Sequence, residues 1–546
     1  MNGPLPGKQQ PLGLVVGGSL SRGVLVRLDA AWPVENVTVG SFVTIQGQGQ
    51  RYFGLVSDVS LEVSDASLQA SPPDMADPFV ASVIAGTGAY ALVTVLPQLV
   101  LGSDALDAVA APQPARSIPS HFAQAYAASE ADVRTVFGGE DDRHVWVGNP
   151  LDMEDTRICL DIEELVKRSN GVFGKSGTGK SFLARILLAG VLQKRAAVNL
   201  VFDMHNDYGW QGSSERGTAV KGLKQLYPSQ VAVFTLDGES SRRRGMTPDA
   251  EVQIGYDQIE PQDMETLGET LNLTEPGKSA VYSLVRHFGQ ERWLYEFLSR
   301  ESREELDTLA SNVSEKFEVL WTLHRRLRIF TRLPFLKEKA ADDAVRRILD
   351  YLERGMHVVL EFGRYGNELS AYILVANLLT RRIHDRYVEL MERAAGDPSK
   401  EPKQLLITIE EAHRFLTPAV ASQTIFGTIA REMRKFKVSL LVIDQRPSGI
   451  DEEVRSQIGT RFVCQLDNEH DVDAVLAGAS GARELRTVLS KLEAQQQCLI
   501  FGHALPMPVV VRTREYGSAE SYREFGFREA SEIRRQVEQE KKDLFG

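Results

Sequence analysis

Cysteine is scarce: the 546 residues include only Cys159, Cys464 and Cys498, far apart and without the spacing of a metal-ligand set. Three scattered thiols argue against a disulfide-stapled secreted scaffold and fit a reducing, cytoplasmic setting. Long apolar runs are missing as well. The start, MNGPLPGKQQPLGLVVGG, has no apolar core of signal-peptide length. The richest segment, SFLARILLAGVL, falls short of the roughly 18 apolar residues that cross a bilayer, so no membrane span is expected. Excess positive charge is absent too. Sixty-two Lys and Arg face 74 Asp and Glu, a formal charge of -12, which excludes a generally basic nucleic-acid coat but not a local basic surface. There is no internal repeat and no low-complexity tract. With 43% hydrophobic and 25% charged residues, the chain reads as ordinary globular protein, long enough for two or three domains.

Residues 1–150 carry short valine-rich runs between glycine and polar turns, such as GLVVGG, GVLVRLDA and YALVTVLPQLVLG, which predict a small antiparallel β-barrel or sandwich. From 151 the rhythm changes to an apolar strand followed by an amphipathic helix. That alternation predicts an α/β domain with a parallel sheet over 151–257 and 346–514. Between these halves, 258–345 reads as an inserted helical subdomain, and 515–546 as a charged C-terminal helix.

The sharpest motif lies in GVFGKSGTGKSFLARILLAG, residues 171–190. Gly174, Gly179, Lys180 and Ser181 fit G-x-x-x-x-G-K-[ST] without mismatch; Lys175, Ser176, Gly177 and Thr178 fill the loop, and Phe182 follows it. Glycines let successive N–H groups converge on a phosphate, and the helix that begins at the lysine adds its positive dipole end. Lys180 is expected on the β- and γ-phosphates of ATP and Ser181 on Mg²⁺. An apolar strand before the loop and a helix after it are the context the motif needs. A plain helix-capping glycine loop is the bland alternative.

Cleaving the triphosphate requires a carboxylate on a neighbouring strand. KQLLITIEEAHRFL ends an apolar run in Glu410 and Glu411. Glu410 is assigned to Mg²⁺ support, directly or through water, and Glu411 to activating the attacking water. Both acids would also suit a helix start. In VSLLVIDQRPSG, Gln445 is placed to sense or orient the γ-phosphate, although Asp444 and Pro447 equally suit a strand exit.

Together NLVFDMHNDYG, LLITIEEAHRFL, IAREMRKFKVSLLVIDQRPSGIDEEVRSQIGTRFVCQL and CLIFGHALPMPVVVR resemble the HerA branch of the HerA/FtsK ATPases. The resemblance implies a RecA-like P-loop core in a homo-hexameric ring, with ATP between subunits and double-stranded DNA moving through a central channel. It also implies a partner on the side of the N-terminal barrel, either a NurA-like nuclease in end resection and double-strand break repair or an effector in phage defence. A nucleotide-gated ring scaffold that does not move DNA is the rival of another class. The family's D-x-H-G-E-Y motif stands here as Asp203, His205, Asn206, Asp207 and Tyr208, so Asn and Asp replace Gly and Glu. Asp444 stands where Ser commonly precedes the glutamine, and Glu410 where an Asp is usual.

A site shared between protomers needs an arginine from the neighbour. Arg431 and Arg434, spaced i and i+3 as on one helix face, are the first candidates and Arg461 the third. For DNA, the glycine- and serine-rich WQGSSERGTAVKGLK offers Trp210, Arg216, Lys221 and Lys224 as pore-loop contacts to phosphate. Any of these charges also reads as an ordinary solvated side chain.

Overall fold

Alternation in the first hundred residues closes a barrel. Val24, Val26 and Leu28 on one strand and Ala91, Val93 and Val95 on another point inward at period two, and all are buried. In the computed structural model, which describes residues 10–85, 87–102, 112–213, 219–414, 416–418, 421 and 425–527, the Gly23–Leu28 strand pairs with Gly13–Ser19. The sheet then runs through Gln124–Ala127, Phe42–Gln46, Arg51–Val63 and Ala89–Leu101. The last of these returns to Gly23–Leu28, with Val24 opposite Val95, so the ring has no open edge. The Arg51–Val63 and Ala89–Leu101 strands pair along their whole length. Their far ends carry two short helices, Ala66–Ala70 and Pro78–Ile84, in which no residue is buried. Leu61, Met75, Phe79 and Val83 stand exposed on this arm, Phe79 at 75%.

The chain divides into two compact units. One comprises Met1–Leu165, Val172–Leu183 and Gly459–Arg514; the other comprises Val166–Gly171, Ala184–Ile458 and Glu515–Gly546. The first holds more than the barrel. His144–Pro150, read from the sequence as the barrel's end, instead pairs antiparallel with Ile158–Asp161 and Val509–Thr513. A closed ring leaves no edge for a further strand, so this one joins a sheet. From Ile458–Val463 the order continues through Gln497–Gly502 and Val509–Thr513, all antiparallel.

In the second unit the strands Ala250–Glu251, Val231–Thr235, His357–Glu361, Val198–Asp203, Leu405–Glu410 and Val438–Asp444 lie side by side in that order, all parallel. Every residue of the five longer strands is buried, as a sheet covered on both faces requires. The expected parallel sheet is present over this stretch, whereas Ile458–Val463, Gln497–Gly502 and Val509–Thr513 pair antiparallel with one another. Hairpin-length connections such as Gly502 to Val509 are too short for a parallel crossover.

The helical insertion is present as Pro261–Thr266, Glu275–Phe288, Trp293–Leu298, Arg303–Val313 and Phe317–Leu327. Trp293 is fully buried in its core, donating from Nε1 to the Ile259 carbonyl at 3.0 Å. Thr274 and Ser302 cap two of its helices from their hydroxyls.

Candidate nucleotide site and its acid row

The phosphate loop leaves the Ser169–Phe173 strand and enters the Lys180–Lys194 helix. Gly177 and Gly179 sit at φ of 79° and 90°, with open space where a Cβ would be, so backbone conformation rather than crowding demands glycine there. At Gly174 packing decides as well: a Cβ would come within 2.7 Å of the Cys464 Cβ. The loop is braced from within its unit. Lys175 N donates to the Gln465 carbonyl at 2.9 Å, and Thr178 Oγ1 to the Lys175 carbonyl at 2.8 Å. Lys180 Nζ reaches that same Lys175 carbonyl at 2.7 Å. Ser176 and Gly177 are exposed at the tip, while Lys180, Ser181 and Phe182 are half-buried.

In the other unit three carboxylates end three adjacent strands: Glu361, Asp203 and Glu410. Asp203 lies opposite Glu361, and Ile409, the residue before Glu410, lies opposite Phe202. All three are buried. Asp203 accepts from the N–H groups of Asp207 at 2.7 Å, Tyr208 at 2.8 Å and Gly209 at 3.2 Å, folding the motif loop over itself. Asn206 makes that turn possible at φ 60°, a conformation asparagine tolerates in place of the family's glycine. Tyr208 is fully buried and donates its hydroxyl to Glu410 Oε1 at 2.9 Å. Glu410 Oε2 and Glu361 Oε1 are buried without a hydrogen-bond partner, while Glu361 Oε2 meets Arg244 at 2.6 Å.

Burial dominates the electrostatics of this row. It pushes the Glu410 carboxyl up to about 8, helped by the charge of Asp203, and Asp203 up to about 7, helped by Glu361. Glu361 is raised as well, by burial against the opposing pull of Arg244. Arg185, 2% exposed, ties the Lys180–Lys194 helix to the motif loop by donating to the Asp207 carbonyl at 2.6 Å.

Glu411 stands apart from the row in both backbone and partners. Its φ of 51° is left-handed, an uncommon and strained setting for a glutamate. Gln445 Nε2 donates to its Oε1 at 3.0 Å, and His413 Nε2 lies 3.8 Å from its Oε2. Asp444 accounts for its own departure from the family's serine: its buried carboxylate accepts from the backbone N–H groups of His413 and Arg446 and faces His413 Nδ1 at 3.0 Å. That contact, chiefly, holds His413 above its ordinary pKa.

The arginines are arranged differently from the sequence pattern. The Ile425–Glu432 helix ends before Arg434, which falls in a 3-10 turn, Met433–Phe436, so Arg431 and Arg434 do not share a helix face. The chain must turn there into the Val438–Asp444 strand, and Lys437 takes φ 63° to do so. Arg431 is half-buried, 3.7 Å from Glu453, and Arg434 is exposed. Arg461 is 7% exposed and donates to the carbonyls of Val475 and Ala477. It caps the C-terminal end of the Glu469–Leu476 helix.

Of the expected DNA contacts, Lys221 and Lys224 are engaged within the fold. Lys221 is covered by the C-terminal segment: its N–H donates to Tyr522, its carbonyl accepts from Tyr516, and its ammonium lies 4.5 Å from the Phe527 ring centre. Aromatic residues of that segment outcompete water for the lysine stem. Lys224 is held by Asp249 and the Val231 carbonyl. Trp210 is half-buried, and Arg216 lies outside the described residues, as does the tail beyond 527. His205 is exposed. Sequence reading missed Glu361, although HVVLEFG ends an apolar run in an acid just as LLITIE does.

Among the described residues no group of three or more His, Cys, Asp or Glu forms a metal cage. Mg²⁺ needs none, since it keeps several waters and takes one or two protein oxygens beside phosphate. The orphaned Glu410 Oε2 is a buried oxygen of the kind such an ion takes. Nor is any helix among the described residues long and apolar enough to cross a membrane.

Residues 145–383 match the family described as "Helicase HerA, central domain", and residues 12–74 match the HAS barrel domain. The DNA double-strand break repair helicase HerA of Pyrococcus furiosus is 24% identical over 410 residues, covering 71% of this chain and 72% of that protein. Its namesake from Sulfolobus acidocaldarius is 23% identical over 413 residues, with 71% and 72% covered. Among solved structures, the bacterial conjugative coupling protein TrwB aligns over 72% of this chain and 93% of its own, at 10% identity and a TM-score of 0.46.

Proposed function

We propose that the chain, whose residues 145–383 match the HerA central domain and 12–74 the HAS barrel, is a HerA-type ATP-driven translocase of double-stranded DNA. It works as a homo-hexamer with a NurA-like nuclease partner in DNA-end resection. The observation that carries the catalytic part is Glu411, held in a left-handed backbone at a strand end by Gln445. A strained acid with one oriented oxygen is what a water-activating base looks like when it is placed before substrate arrives.

In this mechanism the loop's N–H groups and the ammonium of Lys180, released from the Lys175 carbonyl, hold the β- and γ-phosphates. Glu411 accepts a proton from the attacking water as its oxygen bonds to the γ-phosphorus. The bond from that phosphorus to the bridging oxygen breaks, and ADP keeps the electron pair. Gln445 keeps Glu411 aimed and reports γ-phosphate loss through their shared hydrogen bond. Ser181, with Glu410 in support, would hold Mg²⁺, which would supply charge neutralisation on the phosphates. Tyr208 turns Glu410 so that Oε2, not Oε1, is the oxygen left for that purpose.

Arg431 is the proposed trans finger, with Arg434 second. Mixing Arg431→Ala subunits with Glu411→Gln subunits is expected to restore measurable phosphate release in mixed rings, because each variant supplies what the other lacks. No recovery at any mixing ratio points to an arginine acting within its own protomer. The exposed Leu61, Met75, Phe79 and Val83 on the barrel's arm support partner docking, since apolar groups of this size are seldom left in water without use.

Triplex displacement tests the function as a whole. With ATP the protein strips a third strand from duplex DNA; without ATP, or with Lys180→Ala, it does not. Displacement that ignores ATP favours the ring scaffold instead.

A further inference from the structure

The helical insertion ends in an unneutralised basic stretch. From His324 to Lys339 the sequence HRRLRIFTRLPFLKEK carries six Lys or Arg against one acid, Glu338, in a chain whose net charge is -12. Arg325, Arg326, Arg328 and Arg332 are all exposed, and none forms an ion pair among the described residues. Other arginines of the insertion and the helix beside it do find carboxylates: Arg292 and Arg300 meet Glu296, and Arg381 meets Glu260 and Asp263.

The arrangement is directional. The Phe317–Leu327 helix buries Leu320, Leu323 and Leu327 on one side. Trp321, Arg325 and Arg328, at i, i+4 and i+7, share another, and Arg332 follows in the 3-10 turn Arg328–Arg332. At the head of this stripe Trp321 is 40% exposed and stacks on Phe317, with ring centres 5.9 Å apart and planes 25° from parallel. Arg303 lies 5.0 Å over that Phe317 ring, closing the platform from below. Helix-end electrostatics explains one or two cations at a helix C-terminus; it does not explain six, nor a tryptophan left in water beside them.

We propose that this stripe is a docking site for single-stranded DNA, with phosphates on Arg325, Arg328 and Arg332 and a base stacked on Trp321. Charge complementarity selects a polyanion, and the exposed aromatic selects one with unpaired bases rather than a closed duplex. The inference rests on the translocase reading only for the identity of the polymer: a frayed end or displaced strand would be held outside the ring's duplex path.

Fluorescence anisotropy of the full-length protein with an oligo(dT) probe of about 15 nucleotides, and separately with a blunt hairpin duplex, tests it. The combined change Arg325→Ala, Arg328→Ala and Arg332→Ala is expected to weaken oligo(dT) binding by more than about tenfold. It should also flatten the slope of log K against log salt by about 2, which is three phosphates at roughly 0.7 each. Trp321→Leu is expected to cost about 5- to 100-fold with the salt slope unchanged, a split that general misfolding would not produce. Blunt-duplex binding and DNA-free ATP hydrolysis stay at wild-type level in both, and Arg→Lys at the three sites keeps the slope. Wild-type affinity and slope in both variants overturn the proposal, as does displacement of the probe by poly-glutamate of matched charge. A wild-type protein that binds duplex but not oligo(dT) ends this inference alone; one that binds neither ends the translocase reading with it.

Discussion

The Glu411→Gln substitution is expected to leave nucleotide affinity unchanged and to slow hydrolysis by about 10³-fold, within the range lost when a positioned general base is removed. The substitution keeps the side chain's length, and its carbonyl oxygen still accepts from Gln445 Nε2, so the left-handed backbone at 411 retains its anchor. What disappears is the lone pair basic enough to take the proton from water. Phosphate release measured beside titration with a fluorescent ATP analogue separates the two effects. A variant that hydrolyses at near wild-type rate removes Glu411 from the chemistry, and the strain at its φ then lacks a catalytic use.

Glu410→Gln gives the second large effect, and it runs against intuition: the variant is expected to be more stable than the parent at alkaline pH. The sign follows from burial. Folding raises the Glu410 pKa from 4.5 to about 8, so the folded chain keeps a proton that the unfolded chain gives up. The stability linked to that proton is fully present below about pH 4.5 and is lost as pH rises towards 8. Asp203, raised from 3.8 to about 7, adds a loss of the same sign over a lower window. A neutral amide at 410 removes the first loss and leaves the second, which burial and the Glu361 charge cause. Allowing for an imperfectly bonded buried amide, the net gain is on the order of 2 kcal/mol at pH 8. Melting curves without nucleotide or Mg²⁺ should therefore separate at pH 8, with the variant higher, and converge near pH 5. Parallel melting at both pH values means that the carboxyl is not held in a dry row. The same variant should lose activity, so stability and turnover move in opposite directions at this residue.

Legibility differed from residue to residue. The phosphate loop was readable because its function is written in eight consecutive positions, and the backbone angles at Gly177 and Gly179 are local properties of glycine. Glu410 and Glu411 were readable because an apolar strand ending in acids is also a local signal. Glu361 was not, although its strand ends the same way. Only the parallel order of three strands, distant in sequence, sets it beside Asp203 and makes both carboxyls part of one dry row. The barrel followed from valine periodicity, but the fate of His144–Pro150 depended on whether the ring had already closed.

The charged residues show the division most clearly. Arg431, Arg434, Arg461, Lys221 and Arg325 look alike in a sequence. Their fates diverged because a cation's energy is set by what surrounds it within a few ångströms, and those neighbours come from distant segments. Arg461 met the free carbonyls at a helix end, Lys221 met three aromatic rings, and the Arg325 stripe found no carboxylate among the described residues. By itself the sequence determined the phosphate loop, the acid pair, the α/β rhythm and the barrel, since each depends on the conformational preferences of neighbouring residues. Tertiary structure alone decided which carboxylates are dry, which cations are satisfied and which remain available to a polyanion. Burial and charge pairing are properties of segments brought together through space.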